Sequence, residues 1–93
     1  MKIVINEQQT ELLGKSIIKF IMKMYGDIVC FADFDSEPDD DGKFWVNIYF
    51  KEDWYDSLTN AVREVRIKSG EIRNNIYQFM GIDIRVGISL KNC

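Results

Sequence analysis

Residues 68–76, KSGEIRNNI, place a glycine inside what otherwise reads as one long amphipathic helix. Apolar stripes with helical spacing lie before and after Gly70, and the two stripes keep the same phase. A glycine in a helix interior costs about 1 kcal/mol relative to alanine, so the pattern favours Gly70 as a small residue at a bend or a close packing point over a straight helix. The stripes consist of Leu58, Ala61, Val62, Val65, Ile72, Ile76, Phe79 and Met80.

Strand and helix patterns alternate along the rest of the chain. A helical stripe begins after residue 7, and Gly26 supplies its C-terminal stop. Two runs of period-two alternation flank the turn-rich sequence SEPDDDG, so we predict that they pair as an antiparallel hairpin around a mobile loop. Gly81 ends the second helical segment, and a cleanly alternating run follows it. The predicted strands are residues 2–6 (KIVIN), 27–35 (DIVCFADFD), 44–51 (FWVNIYFK) and 82–90 (IDIRVGISL).

The order β-α-β-β-α(α)-β predicts a single α+β domain over residues 1–93. A chain of 93 residues is long enough to bury one modest core. We expect a two-layer sandwich in which helices lie on one face of a four-stranded, mainly antiparallel sheet. An unbroken helix after residue 53 gives the ferredoxin-like form of this sandwich. A bend at Ser69 and Gly70 gives the KH-like form with an additional N-terminal strand.

The composition excludes a disordered chain, because 46% of the residues are hydrophobic and 13% are aromatic. No apolar run approaches the ~18 residues that a membrane span requires, and residues 1–9 lack the apolar centre of a secretory signal. We therefore expect a cytoplasmic protein, or a component of an assembly made there, with no membrane partner. Cys30 and Cys93 form no disulfide framework, and we interpret them as a buried small hydrophobe and a terminal thiol.

The residue types argue against catalysis. The chain has no histidine, which removes the usual general base near neutral pH and the commonest metal ligand. Glycine-rich nucleotide-binding loops are absent as well. The spacing of Glu37, Asp39, Asp41 and Gly42 resembles the opening of a calcium-binding EF-hand loop, but Ile48 stands where a bidentate glutamate is needed. We predict no enzyme, no cofactor and no metal site, and weak cation binding by this loop is the alternative.

Charge is distributed unevenly along the chain. Residues 33–56 carry a net charge of −7 against −3 for the whole chain, so the remainder carries +4. A surface that meets a polyanion is therefore expected to lie away from the acidic segment. The alternative interpretation of the basic residues is that they form ordinary solvated helix faces. The candidate nucleic-acid contacts are Lys15, Lys19, Lys23, Arg66 and Arg73.

Two stretches of the chain resemble known groups of proteins. Gly70, Ile72 and Arg73 in SGEIR stand where the ribosome-binding factor A family has a glycine, an apolar residue and an arginine, and residues 27–93 resemble that family. This resemblance implies a type II KH-like fold and binding to the small ribosomal subunit. Lys68 departs from the family's alanine, and the chain lacks the glycine loop with which KH domains grip RNA. The opening KIVINEQQ is similar to small tailed-phage proteins, which implies a virion or accessory component.

Four aromatic residues are the candidates for protein contact. Trp45 and Tyr49 lie on the more polar side of their strand, and Trp54 and Tyr55 follow shortly after it. Exposed aromatic side chains anchor interfaces, and an open sheet face in a small domain invites a partner or a second copy. We therefore predict a non-enzymatic structural or accessory protein that acts by protein contact, with the acidic loop 35–42 facing solvent or a basic partner. The alternative is a KH-like RNA- or ribosome-binding factor.

Overall fold

The computed structural model of the chain describes residues 7–52 and 58–93. Two helices and three strands make up this part of the chain. In chain order they are α1 (Glu7–Tyr25), β1 (Val29–Asp35), β2 (Trp45–Lys51), α2 (Leu58–Met80) and β3 (Arg85–Lys91).

The three strands form one mixed sheet in the order β1-β2-β3. The hairpin pairs β1 and β2 antiparallel, with Phe34 opposite Val46 and Asp35 opposite Trp45. The pairing of β2 with β3 is parallel and runs in register from Trp45 opposite Arg85 to Lys51 opposite Lys91. Parallel neighbours need a crossover connection, and α2 supplies it. β2 is therefore the central strand.

The predicted four-stranded, mainly antiparallel sheet is wrong. The described residues form a three-stranded open mixed sheet with one antiparallel and one parallel pair. A ferredoxin-like sheet places its first and third strands side by side. Here the third of the four predicted strands is β2, and both of its edges are occupied, by β1 and β3. The first predicted strand, residues 2–6, lies outside the described residues. The class that the structure supports is α+β with two helices.

The helix α2 is unbroken over 23 residues and continues through Gly70. A Cβ built on Gly70 would meet nothing within 4 Å, so this glycine is not a close packing point either. A division into two helices, the alternative on which the KH-like form depended, is therefore not observed, and the prediction of Gly70 as a close packing point is wrong. Both halves of α2 are held by the same buried stripe, in which Val65, Ile72 and Ile76 are buried. That burial outweighs the small helix cost of a single exposed glycine. The end of α2 at Gly81 is as predicted, with φ at +69°.

One core lies between the helices and one face of the sheet. Ile17 and Ile21 of α1 are fully buried against it, as are Val46, Ile48 and Phe50, the alternate residues of β2. The two helices also contact each other, since Asn75 of α2 donates a hydrogen bond to the Tyr25 hydroxyl and the rings of Phe20 and Phe79 lie 5.9 Å apart. Close approach does occur at Gly14, where an added Cβ would lie 2.8 Å from Phe34 Cγ.

A disulfide joins Cys30 and Cys93, so the prediction of two unpaired cysteines is wrong. The two residues are 63 positions apart in sequence, and their Cα atoms are 6.1 Å apart. Cys30 belongs to the edge strand β1, and Cys93 follows the opposite edge strand β3, so the link joins the segments on either side of β2. Within the described ranges, no helix is both long and apolar enough to cross a membrane.

Candidate interaction surface

One face of the sheet is turned away from both helices. Side chains alternate across a strand, so the neighbours of the buried residues Val46, Ile48 and Phe50 point to the opposite side. We call this side the open face. It carries Phe31, Asp33 and Asp35 from β1, Trp45, Asn47, Tyr49 and Lys51 from β2, and Arg85, Gly87, Ser89 and Lys91 from β3.

A pair of stacked rings lies on the open face. The rings of Phe31 and Tyr49 are 4.2 Å apart and within 8° of parallel, and Lys91 Nζ lies 4.6 Å from the centre of the Phe31 ring. An irregularity in the pairing of β1 between Val29 and Phe31 brings Phe31 opposite Tyr49. The ring pair and the cation over it contribute about 0.5 to 1.5 kcal/mol each. Phe31 is nevertheless 36% exposed, so this group is still available for contact.

Trp45 lies at the other end of β2 and is 37% exposed. Its indole Nε1 donates a hydrogen bond of 3.2 Å to Asp39 Oδ2, which fixes the orientation of the ring. In the next row, Gly87 of β3 lies opposite Asn47, and an added Cβ there would crowd Asn47 Oδ1 at 2.5 Å. Because Gly87 carries no side chain, the open face is flat between Trp45 and Asn47, and a flat surface is easily covered by a second flat surface.

The acidic loop that follows β1 is held by one carboxylate. Asp39 Oδ1 accepts hydrogen bonds from the backbone N–H groups of Asp41 and Lys43 at 2.9 and 3.0 Å. The hydrogen bond from Lys43, aided by those from Asp41 and Trp45, lowers the pKa of Asp39 below its ordinary value of 3.8. The loop is a defined turn, in which the amide of Gly42 donates to the carbonyl of Asp39 at 2.8 Å.

The cationic partner of this loop lies within the same chain. The Arg85 guanidinium of β3 contacts Asp41 at 2.6 Å, and its Nε lies 2.7 Å from Asp39 Oδ2, close enough for an ion pair although the N–H is not aligned for a hydrogen bond. Residues 35–42 were predicted to face solvent or a basic partner, and Arg85 of the same chain neutralises part of their charge. Sequence reasoning did not foresee this contact, which joins residues 44 positions apart.

A second carboxylate ties the loop to α2. Asp83, just before β3, contacts Lys43 at 2.8 Å and Arg73 at 3.1 Å. The hydrogen bonds from Lys43 and then from Arg73 lower the pKa of Asp83 below 3.8. Arg73 is thus engaged inside the chain, although it was predicted as a nucleic-acid contact.

The five predicted nucleic-acid contacts do not form one surface. Lys15, Lys19 and Lys23 are exposed on α1. Arg66 and Arg73 are one heptad apart on α2, on the flank where Arg73 meets Asp83. The flank of α2 that faces α1 contains Asn75, and helical spacing places Glu64 and Glu71 on that flank. Lys68, one heptad before Asn75, lies on the same flank and pairs with Glu71 at 2.9 Å, so both signs of charge occur on this flank.

Two of the four predicted protein contacts lie in the part of the chain that the structure describes. Trp45 and Tyr49 both lie on the open face, in different rows of the sheet. Trp54 and Tyr55 lie outside the described residues. Phe31, Gly87 and Lys91 were not predicted as part of the surface. The alternation of residues 27–35 placed Phe31 on the polar side of its strand, and this was the signal that could have identified it.

The open face offers several kinds of group for contact. They are aromatic rings, two ammonium groups, carboxylates, one guanidinium, the Asn47 amide and the Ser89 hydroxyl. Across residues 7–52 and 58–93, no three cysteine, aspartate or glutamate residues are grouped so that they could hold a metal ion.

No protein-family model, no curated protein and no solved structure matches this chain. The resemblances to the ribosome-binding factor A family and to small phage proteins accordingly stay predictions.

Proposed function

We propose that this protein acts by binding another protein through the open face, as a small structural or accessory component, without catalysing a reaction. One observation carries the proposal. The helices pack on one side of the sheet, while Phe31, Tyr49 and Trp45 stand on the other side, two of them more than one third exposed. Exposed aromatic residues on a flat patch are the residues that most often supply binding energy at interfaces.

Site-specific photo-crosslinking tests this proposal directly. A photoreactive amino acid replaces Ser89, which is exposed on the open face beside Tyr49, and in a matched control it replaces Gln78, which is exposed on α2. The experiment uses cells that naturally carry the gene, and adducts are identified by mass spectrometry. We expect a protein adduct from position 89 that is absent from position 78 and that is lost when Trp45→Ala and Tyr49→Ala are added. Adducts of equal yield from both positions, or none from position 89, would overturn the proposal.

RNA or ribosome contact is the second candidate, and the exposed row of Lys15, Lys19 and Lys23 favours it. These residues are spaced by four and share one side of α1, where they can follow a phosphate backbone. A filter-binding titration against ribosomal RNA at two salt concentrations tests it. Binding that weakens steeply with salt, with a slope reduced by about 0.7 to 0.9 for each lysine neutralised in Lys19→Gln and Lys23→Gln, would support this candidate. Absence of binding at low salt would remove it.

We place the protein in the cytoplasm, or in a virion assembled there if a phage encodes it. The reducing cytoplasm keeps most protein thiols free. In that setting Cys30 and Cys93 are expected as a pair of neighbouring thiols, and the disulfide is expected to form when the protein meets an oxidising medium.

A further inference from the structure

The charges of the open face are separated along the strand direction. The register places the residues in rows across the sheet, with Asp35, Trp45 and Arg85 in the row at one end. The next row contains Asp33, Asn47 and Gly87. The row after that contains Phe31, Tyr49 and Ser89, and the last contains Lys51 and Lys91.

Two acids therefore lie at one end of the face and two lysines at the other. Arg85 at the acidic end does not cancel this difference, because it is already paired with Asp39 and Asp41. The row of Phe31, Tyr49 and Ser89 lies between the two acids and the backbone positions of the two lysines, and the Lys91 ammonium reaches over the Phe31 ring. A surface of this kind is complementary to a copy of itself that is turned end for end.

From this pattern we infer that the partner of the open face is a second copy of the same chain, in a two-fold, face-to-face dimer. This inference rests on the proposed function. In a two-fold interface each contact occurs twice, so the acidic end of each copy lies over the lysine end of the other. The axis lies between the sheets and across the strands, so the row of Phe31 and Tyr49 in one copy lies over the row of Asp33 and Asn47 in the other. Lys91, whose ammonium lies over the Phe31 ring, then faces Asp33 of the other copy. Sheets that pack face to face are about 10 Å apart, a distance that the side chains from both faces span together.

The size of the face sets the strength of this dimer. Three strands spaced about 4.8 Å apart and seven residues long cover roughly 14 by 23 Å. That footprint is smaller than the ~800 Å² per partner of a standard stable interface. The dimer is therefore expected to be reversible and to depend on protein concentration and on salt.

Reversal of charge provides the sharpest test. Lys51→Glu with Lys91→Glu makes the face acidic throughout, and Asp33→Lys with Asp35→Lys makes it basic throughout. Each double variant alone is expected to dimerise about ten-fold or more weakly than the original protein, because like charges then face each other. An equimolar mixture of the two is expected to associate at least as tightly as the original protein. Sedimentation velocity over a concentration series measures all four samples, and circular dichroism checks that each variant is folded.

The possible outcomes separate this inference from the proposed function. Loss of dimer in each variant with recovery in the mixture supports the two-fold arrangement. A monomer at all concentrations, or a dimer that neither charge reversal weakens, overturns it. If the Ser89 crosslinker then captures a different protein, the proposed function stands and only the identity of the partner is wrong. If position 89 captures no protein, both proposals fail.

Discussion

The two faces of β2 share one backbone and differ in everything that their side chains contact. Val46, Ile48 and Phe50 point toward the helices and are fully buried. Trp45 and Tyr49, on the alternate positions, point away, and Trp45 is partly exposed. The same hydrogen-bonded strand thus serves the core on one side and leaves rings available on the other. We therefore expect that substitutions at neighbouring positions of β2 change either the stability of the fold or the proposed binding.

The largest expected difference lies between Ile48→Ala and Tyr49→Ala. Ile48 is fully buried in the core, so its truncation is expected to lower the free energy of unfolding by about 2–5 kcal/mol. Tyr49 loses its stacking with Phe31, which is expected to cost only about 0.5–1.5 kcal/mol. Urea unfolding measures both values. Equal losses would break the comparison, because they would mean that the open face is buried as deeply as the core.

The disulfide is expected to have the next largest effect. Cys30 adjoins Phe31 of the open face, and the closed loop of 63 positions restricts the unfolded chain. Reduction is therefore expected to lower the free energy of unfolding by about 2–4 kcal/mol. Urea unfolding with and without reductant measures the difference, and Cys93→Ala is the control that should not respond to reductant. No difference for the original protein would show that this side of the sheet owes its stability to packing alone.

Substitution of two helix glycines is expected to change stability by smaller amounts and in opposite directions. Gly14→Ala places a methyl group against Phe34, between α1 and the side of the sheet that packs on the helices, so we expect a loss of about 1–3 kcal/mol. Gly70→Ala meets open space and removes an entropic penalty, so a gain of about 1 kcal/mol is expected. Thermal unfolding of the two variants should move the midpoint in opposite directions. Two shifts of the same sign would contradict this assignment.

The smallest effect concerns the exposed ion pairs at the loop end of the sheet. The pKa of Asp83 is lower in the folded chain than the ordinary value of 3.8, because Lys43 and Arg73 donate to its carboxylate. The stabilisation is therefore complete above about pH 4 and is lost as pH falls through the folded pKa. Asp83→Asn should flatten the acid limb of stability against pH, whereas Asp40→Asn, at an exposed position in the acidic loop between β1 and β2, is the control. An unchanged acid limb in Asp83→Asn would show that solvent screens these pairs completely.

Local patterns predicted the elements well and their arrangement poorly. The predicted strand 44–51 is β2 with one additional residue, since the alternation that marks a strand depends only on neighbouring residues. The run 82–90 alternates in the same way whether its partner is parallel or antiparallel, so nothing in it specified β2 as its neighbour. The prediction for Gly70 was wrong for a related reason. The local cost of a glycine is visible in the sequence, but the tertiary burial of Val65, Ile72 and Ile76 that offsets it is not.

For the candidate surface too, the sequence predicted the sides of a single strand and did not predict the contacts between strands. The polar side of β2 was evident from its alternation, and the structure places Trp45 and Tyr49 there. Their role as contact residues stays a prediction. The contacts between strands could not be predicted from the sequence. An irregular register places Phe31 opposite Tyr49, and the parallel pairing of β2 and β3 brings Lys91 to the same rings. The contact of Arg85 with the acidic loop depends on that same parallel pairing.

The parallel pairing also has a consequence for the order in which the chain folds. Nine residues, 36–44, separate β1 from β2, whereas 33 residues, 52–84, separate β2 from β3. Closing the longer connection costs about 1 kcal/mol more in chain entropy, so the hairpin is expected to be in place before β3 arrives. Until then the second edge of β2, rich in valine, isoleucine and phenylalanine, offers unpaired backbone groups to any neighbouring chain. Refolding at high protein concentration should therefore lose material to aggregates, and dilution should recover it.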